Sequence, residues 1–187
     1  MIPDLIYVPN YLSNDEGEAL IRKVDSQLWM SPFKRRVQHY GYQYDYKKHR
    51  VTEDMYLGTL PSWLQELAMR LHADEMMPAI PDQVIVNEYY AGQGIAPHID
   101  CEPCFGDTIA SISLGSTCIM DFEHVQTQEK HHQVLHPNSL VVMQHEARYQ
   151  WTHGIPARKS DRIEGVIQKR QRRLSLTFRT VILDYSK

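Results

Sequence analysis

Apolar positions recur at two spacings along the chain, and the change between them divides it. Ala19, Leu20, Val24 and Leu28 repeat at helical spacing behind Ser13-Asn14-Asp15-Glu16, where a Ser three residues before a Glu forms a capping-box pattern. A first helix is predicted over 14–28. Pro61 suits a first helical turn, and Leu64, Leu67, Ala68 and Leu71 continue on one face, which predicts a second helix over 61–75. From residue 83 the texture becomes that of strands, with β-branched and aromatic runs at 83–90, 108–114, 117–122, 133–135, 139–143 and 174–183. Turn signals such as Ala91-Gly92, Leu114-Gly115-Ser116 and Pro137-Asn138 separate them. Helical patterns do not alternate with the strands, which argues against a doubly wound sheet. The prediction is an α+β protein whose β part is a sandwich, jelly roll or barrel.

The last run carries a second pattern. Arg173, Ser175, Thr177 and Arg179 share one parity, while Leu174, Leu176 and Phe178 take the other. Alternate residues of a strand line opposite faces, so one face is apolar and the other holds two arginines. Facing solvent, this is an ordinary amphipathic strand. Beside a metal, two guanidiniums suit a short dicarboxylate, because arginine pairs with carboxylates in bidentate fashion.

A metal candidate lies upstream, in His98-Ile99-Asp100 after the Gly92/Gly94 turn. Residues i and i+2 point the same way in an extended chain and roughly 200° apart on a helix. The same spacing in His72-Ala73-Asp74 falls in a predicted helix and is expected at the surface. A facial triad needs one more histidine. His124, His131 and His132 flank Gln126-Thr127-Gln128-Glu129-Lys130, which predicts an exposed hairpin tip, and His136 precedes a proline turn. His145 and His153 remain. Position favours His153, which closes the run Tyr149 to Trp151 just before Gly154-Ile155-Pro156.

Composition narrows the setting. The 187 residues, 42% hydrophobic and 23% charged, suit one folded domain. A formal net charge of -3 gives no global reason to bind nucleic acid, although 34–50 and 158–173 are locally basic. No apolar run is long enough for a membrane span, and the start lacks a signal-peptide pattern, so the expectation is a soluble cytoplasmic protein, or a nuclear one in a eukaryote. Three cysteines, Cys101, Cys104 and Cys118, are expected as thiols, with a Cys3His zinc site geometrically open.

Three ordered blocks resemble the AlkB-type Fe(II)/2-oxoglutarate dioxygenases. They are Asn87-Glu88-Tyr89-Tyr90-Ala91-Gly92-Gln93-Gly94-Ile95-Ala96-Pro97-His98-Ile99-Asp100, then Ile112-Ser113-Leu114-Gly115-Ser116, then Trp151-Thr152-His153-Gly154-Ile155-Pro156 followed by Arg173-Leu174-Ser175-Leu176-Thr177-Phe178-Arg179. The resemblance implies a single domain over 1–187: helices and a nucleotide-recognition lid in 1–82, and a double-stranded β-helix, or jelly roll, in 83–187. It implies Fe(II) between His98, Asp100 and His153, which selects His153 over His145. It further implies that Asn87 and Tyr89 hydrogen-bond 2-oxoglutarate, that Arg173 pairs with its distal carboxylate, and that Arg179 lies near the chelating one. Ser175 stands where the bacterial repair enzymes commonly have Asn. The implied chemistry consumes 2-oxoglutarate and O2 to oxidise a C–H bond, and a methyl on a ring nitrogen would leave as formaldehyde.

On the substrate side, Glu102 resembles the acidic residue that faces the exocyclic amino group of a flipped methylated base. The segment 33–50 interleaves basic and aromatic residues, suited to phosphate contact and base stacking, and resembles the family's lid. Arg36, Tyr40, Tyr42 and Tyr44 are its expected substrate contacts. The expected activity is removal of N-alkyl groups from bases in single-stranded DNA or RNA, by a monomer. The alternatives are a hydroxylase of a tRNA wobble base or of a protein side chain, and, in another class, a non-catalytic metal or 2-oxoglutarate binder.

Overall fold

The first helix, α1 (Asn14–Asp25), begins where the capping box places it: the Glu16 N–H donates to Ser13 Oγ at 3.2 Å, and the Ser13 N–H donates to Glu16 Oε2 at 2.7 Å. It ends before Leu28, which is exposed rather than part of the apolar stripe. The second, α2 (Ser62–Ala73), has Pro61 at its N-cap and buries Leu64, Ala68 and Leu71. His72 sits on it, as the helical pattern predicts. The computed structural model describes residues 1–32 and 34–183.

Among these residues the chain forms β1 (Leu5–Val8), β2 (Val37–Tyr40), β3 (Gln83–Tyr89), β4 (Ile95–His98), β5 (Thr108–Gly115), β6 (Cys118–His124), β7 (Lys130–Leu135), β8 (Ser139–Gln144), the short helix α3 (His145–Tyr149), β9 (Trp151–Ile155), β10 (Ser160–Ile163), β11 (Val166–Lys169) and β12 (Arg173–Arg179). The larger sheet runs β1-β8-β5-β12-β3-β2, the smaller runs β4-β9-β6-β7, and β10-β11 is a separate hairpin. Neighbouring strands pair antiparallel throughout. This is a jelly roll. Residues 1–82 contribute β1 and β2, the two edge strands of the larger sheet, so that sheet is not built from residue 83 onward alone.

Two apolar clusters fix the layers. In one, Leu20, Val24, Leu64 and Leu71 from the helices meet Val84, Ile112, Leu174, Leu176 and Phe178 from the larger sheet. In the other, Ile109, Val141 and Met143 of the larger sheet meet Met120, Phe122 and Trp151 of the smaller. Full burial of each such large side chain contributes roughly 1.5–3 kcal/mol. Because Leu174, Leu176 and Phe178 face the helices, the other parity of β12 faces the gap between the sheets. Arg173, Ser175, Thr177 and Arg179 are only 3%, 7%, 9% and 8% exposed, so the polar stripe does not face solvent. No helix among the described residues is long and apolar enough to cross a membrane.

Candidate active site

At the end of the gap, β4 and β9 pair with His98 opposite His153, and Asp100 follows two residues beyond His98. A Cβ on Gly154 would lie 2.9 Å from Pro97 N and 3.0 Å from Ile95 O, so glycine beside His153 permits the close approach of the two strands. His98, Asp100 and His153 each offer a ligand atom, all within 4.8 Å of one another. His98 Nδ1 lies 2.9 Å from the Ala96 carbonyl oxygen and donates to it, which makes Nε2 the ring nitrogen available to a metal. Burial, then the neighbouring His98, push His153 down to about 3, so its ring is neutral at ordinary pH.

Burial works to raise the Asp100 carboxyl, but Arg179, with His153, His98 and Arg148, outweighs it and holds the group well below the usual carboxylate range. Arg179 Nη2 donates to Asp100 Oδ1 at 2.6 Å. The buried Arg148 holds the main chain that follows, donating to the carbonyls of Asp100 at 2.9 Å and Cys101 at 3.3 Å. Nothing in its sequence neighbourhood marks Arg148 for this task.

The register of β3 on β12 sets Tyr89 opposite Arg173, Asn87 opposite Ser175 and Gln83 opposite Arg179. Arg173 Nη2 donates to Ser113 Oγ at 2.8 Å, while its Nε and Nη1 are buried with no hydrogen-bond partner. Arg179 Nε and Asp100 Oδ2 are in the same condition. Buried donors without acceptors are costly unless a ligand supplies them. Orphaned guanidinium donors and an orphaned carboxylate oxygen beside two imidazoles fit a dicarboxylate next to a divalent cation.

A cavity of about 190 Å³ opens on this cluster; Arg35, Tyr44, Tyr46, His49, Asn87 and Phe105 help to line it. Of the expected substrate contacts, Tyr44 reaches it. Tyr42 packs against Tyr56, with ring centroids 5.0 Å apart. Tyr40 packs edge-on against Trp63 and donates to Gln38 Oε1 at 2.9 Å, on the side of the helices. Arg36 pairs with the buried Glu88 at 2.6 and 2.8 Å. Glu102 is exposed and outside the cavity wall. Arg35, next to Arg36 in the sequence and not among the expected contacts, is inside: its Nε donates to Asn87 Oδ1 at 3.0 Å.

Two expectations are corrected. Cys101 and Cys104 form a disulfide rather than thiols, because their turn brings the Cα atoms to 5.3 Å, and only Cys118 is free among the described residues; a Cys3His site is thereby ruled out. His124 is buried rather than exposed, since its Nδ1 accepts from the N–H groups of Gln126 and Thr127 at the hairpin turn.

A family model of the 2OG-Fe(II) oxygenase superfamily matches residues 4–179. The alkylated DNA repair protein ALKBH8 homolog of Arabidopsis thaliana is 35% identical over 96% of this chain and 59% of its own length. The tRNA (carboxymethyluridine(34)-5-O)-methyltransferase alkbh8 of Xenopus tropicalis is 35% identical over 96% of this chain and 32% of its own. The chain thus spans about three fifths of the one and one third of the other. The solved structure of OsALKBH1 shares the fold, with a TM-score of 0.74 at 18% identity over 96% of this chain and 98% of that one. With His98, Asp100 and His153 gathered as that chemistry requires, the chain belongs to the 2OG-Fe(II) oxygenase superfamily as an AlkB-type dioxygenase that uses Fe(II), 2-oxoglutarate and O2.

Proposed function

We propose that the protein oxidises an alkyl carbon carried by a nucleobase in RNA, with a carboxymethyluridine-type base at position 34 of a tRNA as the substrate class. The carrying observation is the cavity in which His98 and Asp100, which cluster with His153, meet Arg35, Tyr44, Tyr46 and His49 of the basic, aromatic segment 34–50. Aromatic faces and cations of this kind suit an unstacked base and its phosphates, and that segment serves as the nucleotide lid. The name of the Xenopus relative supplies the base. Its methyl-transfer activity is a different chemistry from that of an oxygenase.

Bound Fe(II), with 2-oxoglutarate and O2, supplies an oxidant that converts C–H to C–OH while 2-oxoglutarate becomes succinate and CO2. His98 and His153 present ring nitrogens, that of His153 neutral, and Asp100 a carboxylate held ionised by Arg179. Arg173 offers two unused N–H donors to a carboxylate, with Asn87 and Tyr89 alongside. Phe105 and Tyr44, with ring centroids 5.7 Å apart, wall the cavity against water.

Removal of N-methyl groups is a second reading, supported by the name of the Arabidopsis relative. Products separate the two. A carbon-linked substituent keeps its hydroxyl, whereas an N-hydroxymethyl group breaks down to formaldehyde and the free base. Purified protein with Fe(II), 2-oxoglutarate and ascorbate is offered tRNA with a modified uridine at position 34, and methylated RNA and DNA oligonucleotides. Succinate with a mass gain of one oxygen on the uridine is expected; formaldehyde from the methylated oligonucleotides alone selects the second reading. Absence of turnover on every nucleic acid removes both.

A further inference from the structure

We propose that Cys101 and Cys104 form a built-in two-electron reductant, which protects the active site when 2-oxoglutarate and O2 are consumed with no substrate in the cavity. This rests on the family's chemistry and is independent of which substrate is oxidised. Cys101 follows Asp100 directly, is partly exposed, and stands in the same cavity wall as His98 and Asp100. Cys104, 4% exposed, lies behind it and is bonded to it. Tyr44, Tyr46 and Phe105 line the same cavity, and these are side chains that an oxidant without a substrate would attack. The third cysteine, Cys118, is buried and is not on that wall.

Both redox states fit the loop. Arg148 donates to the carbonyls of Asp100, Cys101 and Gly106 at 2.9, 3.3 and 3.4 Å, and the Ile182 N–H donates to that of Cys104 at 2.9 Å. The main chain is thus held by groups other than the sulfurs. With the Cα atoms 5.3 Å apart, the bond closes within that main chain. Opened, either thiol has an acceptor in the main-chain oxygen of His49, which lies 3.2 Å from Cys101 Sγ and 3.4 Å from Cys104 Sγ. A disulfide, unlike a sulfinic or sulfonic acid, is returned by thiol exchange, so the pair can serve repeatedly.

The step balances. 2-Oxoglutarate and O2 give succinate and CO2 and leave one oxygen atom to be reduced. Two S–H bonds break and one S–S bond forms, and the two electrons and two protons released turn that atom into water. Two equivalents of an external thiol then reopen the pair by exchange at Cys101, the more accessible sulfur, and leave as their own disulfide.

The test starts from fully reduced protein, freed of reductant under argon and loaded with Fe(II). It is exposed to air-saturated buffer containing catalase, with and without 2-oxoglutarate, and with neither ascorbate nor nucleic acid. Succinate is measured, thiols are counted by alkylation, and peptide mass mapping locates the bond and any added oxygen. The expected result is one Cys101–Cys104 disulfide for the first succinate per chain, with three alkylatable thiols falling to one, and thiols retained over the same interval without 2-oxoglutarate. In Cys104→Ser, which cannot close the bond, oxygen should be added to the Tyr44, Tyr46 or Phe105 peptides during the first turnover, at which stage the wild type shows none. Succinate accumulating beyond one per chain while wild type keeps three thiols overturns the proposal, as does equal disulfide formation without 2-oxoglutarate. Absence of succinate without nucleic acid overturns it too, since no idle turnover would then need clearing. All three outcomes are read in the wild type, whether or not the variant folds.

Discussion

Arg179 donates to one oxygen of Asp100 at 2.6 Å and leaves the other, Oδ2, buried without a hydrogen-bond partner, 3.7 Å from His153 Nε2. One carboxylate is thus divided between a protein cation and a position beside two imidazoles. Breaking such a buried pair strands a charge, at a cost on the order of 3 kcal/mol. Arg179→Met is therefore expected to destabilise the metal-free protein by about that amount, with part of the deficit recovered on adding Fe(II) anaerobically. Urea unfolding with and without the metal measures both, and equal deficits in the two conditions would show that Asp100 is not a ligand.

The unused donors of Arg173 give a separate expectation. Hydrogen bonds to a charged partner contribute about 1.5–3 kcal/mol, so Arg173→Gln should weaken 2-oxoglutarate binding to the metal-loaded protein by roughly 10- to 100-fold. Titration calorimetry reads the affinity directly. Unchanged affinity would remove Arg173 from the co-substrate site.

His39 links the aromatic segment to pH. Its Nδ1 accepts from the Tyr44 N–H at 3.2 Å, and burial, then Arg179, push its pKa from 6.5 down to about 4. A pKa depressed on folding means that the native state prefers the neutral ring. The stability this provides is complete above pH 6.5 and is lost as pH falls towards 4, up to about 3 kcal/mol in all. The difference in unfolding free energy between wild type and His39→Gln should shrink across that interval. A pH-independent difference would contradict the assignment.

Glu88 is 1% exposed and accepts from Arg36 at 2.6 Å and Arg172 at 2.7 Å; Arg172 in turn pairs with Asp25 of α1. Burial raises this carboxyl, and the hydrogen bonds from the two arginines outweigh it, so the group lies below its ordinary value. Glu88→Gln should lower stability by roughly 2 kcal/mol, discounted for the partial exposure of both arginines, and leave the affinity for 2-oxoglutarate unchanged. A lower co-substrate affinity at unaltered stability would reverse that assignment.

The Cys101–Cys104 bond is open to counting. Denatured, unreduced protein should present one reactive thiol, Cys118, and reduced protein three. Closing so short a loop constrains the unfolded chain little, so reduction should cost about 2 kcal/mol and leave the fold intact. Three thiols before reduction would exclude the bond.

Local pattern made the capping box of α1, the apolar stripe of α2 and the long strands legible, because each is specified by neighbours a few residues apart. The strands it left out, β1, β2, β4, β9 and the β10-β11 hairpin, have four or five residues each, too few for a period to stand above its surroundings. They exist because a longer strand or a partner offers unpaired edges. Arg35 and Arg36 show the same limit for side chains. Both lie in one basic run, yet one reaches Asn87 and the cavity while the other turns to Glu88 on the opposite side. Composition cannot separate adjacent residues whose roles depend on which face of β3 each meets.

By itself the sequence determined the chemistry available: two histidines and an aspartate in an order that the fold can gather, and a last strand with arginines on one parity. Tertiary structure decided where those groups look. Only the packing of Leu174, Leu176 and Phe178 against the helices turns Arg173 and Arg179 inward. Only the closure of β9 on β4 sets His153 opposite His98. Only the path of residues 34–50 puts Arg35 rather than Arg36 in the cavity. These are relations between residues far apart in sequence, as Gln83 and Arg179 are at 96 positions, and they are fixed by the burial of side chains and pairing of strands that no local pattern contains.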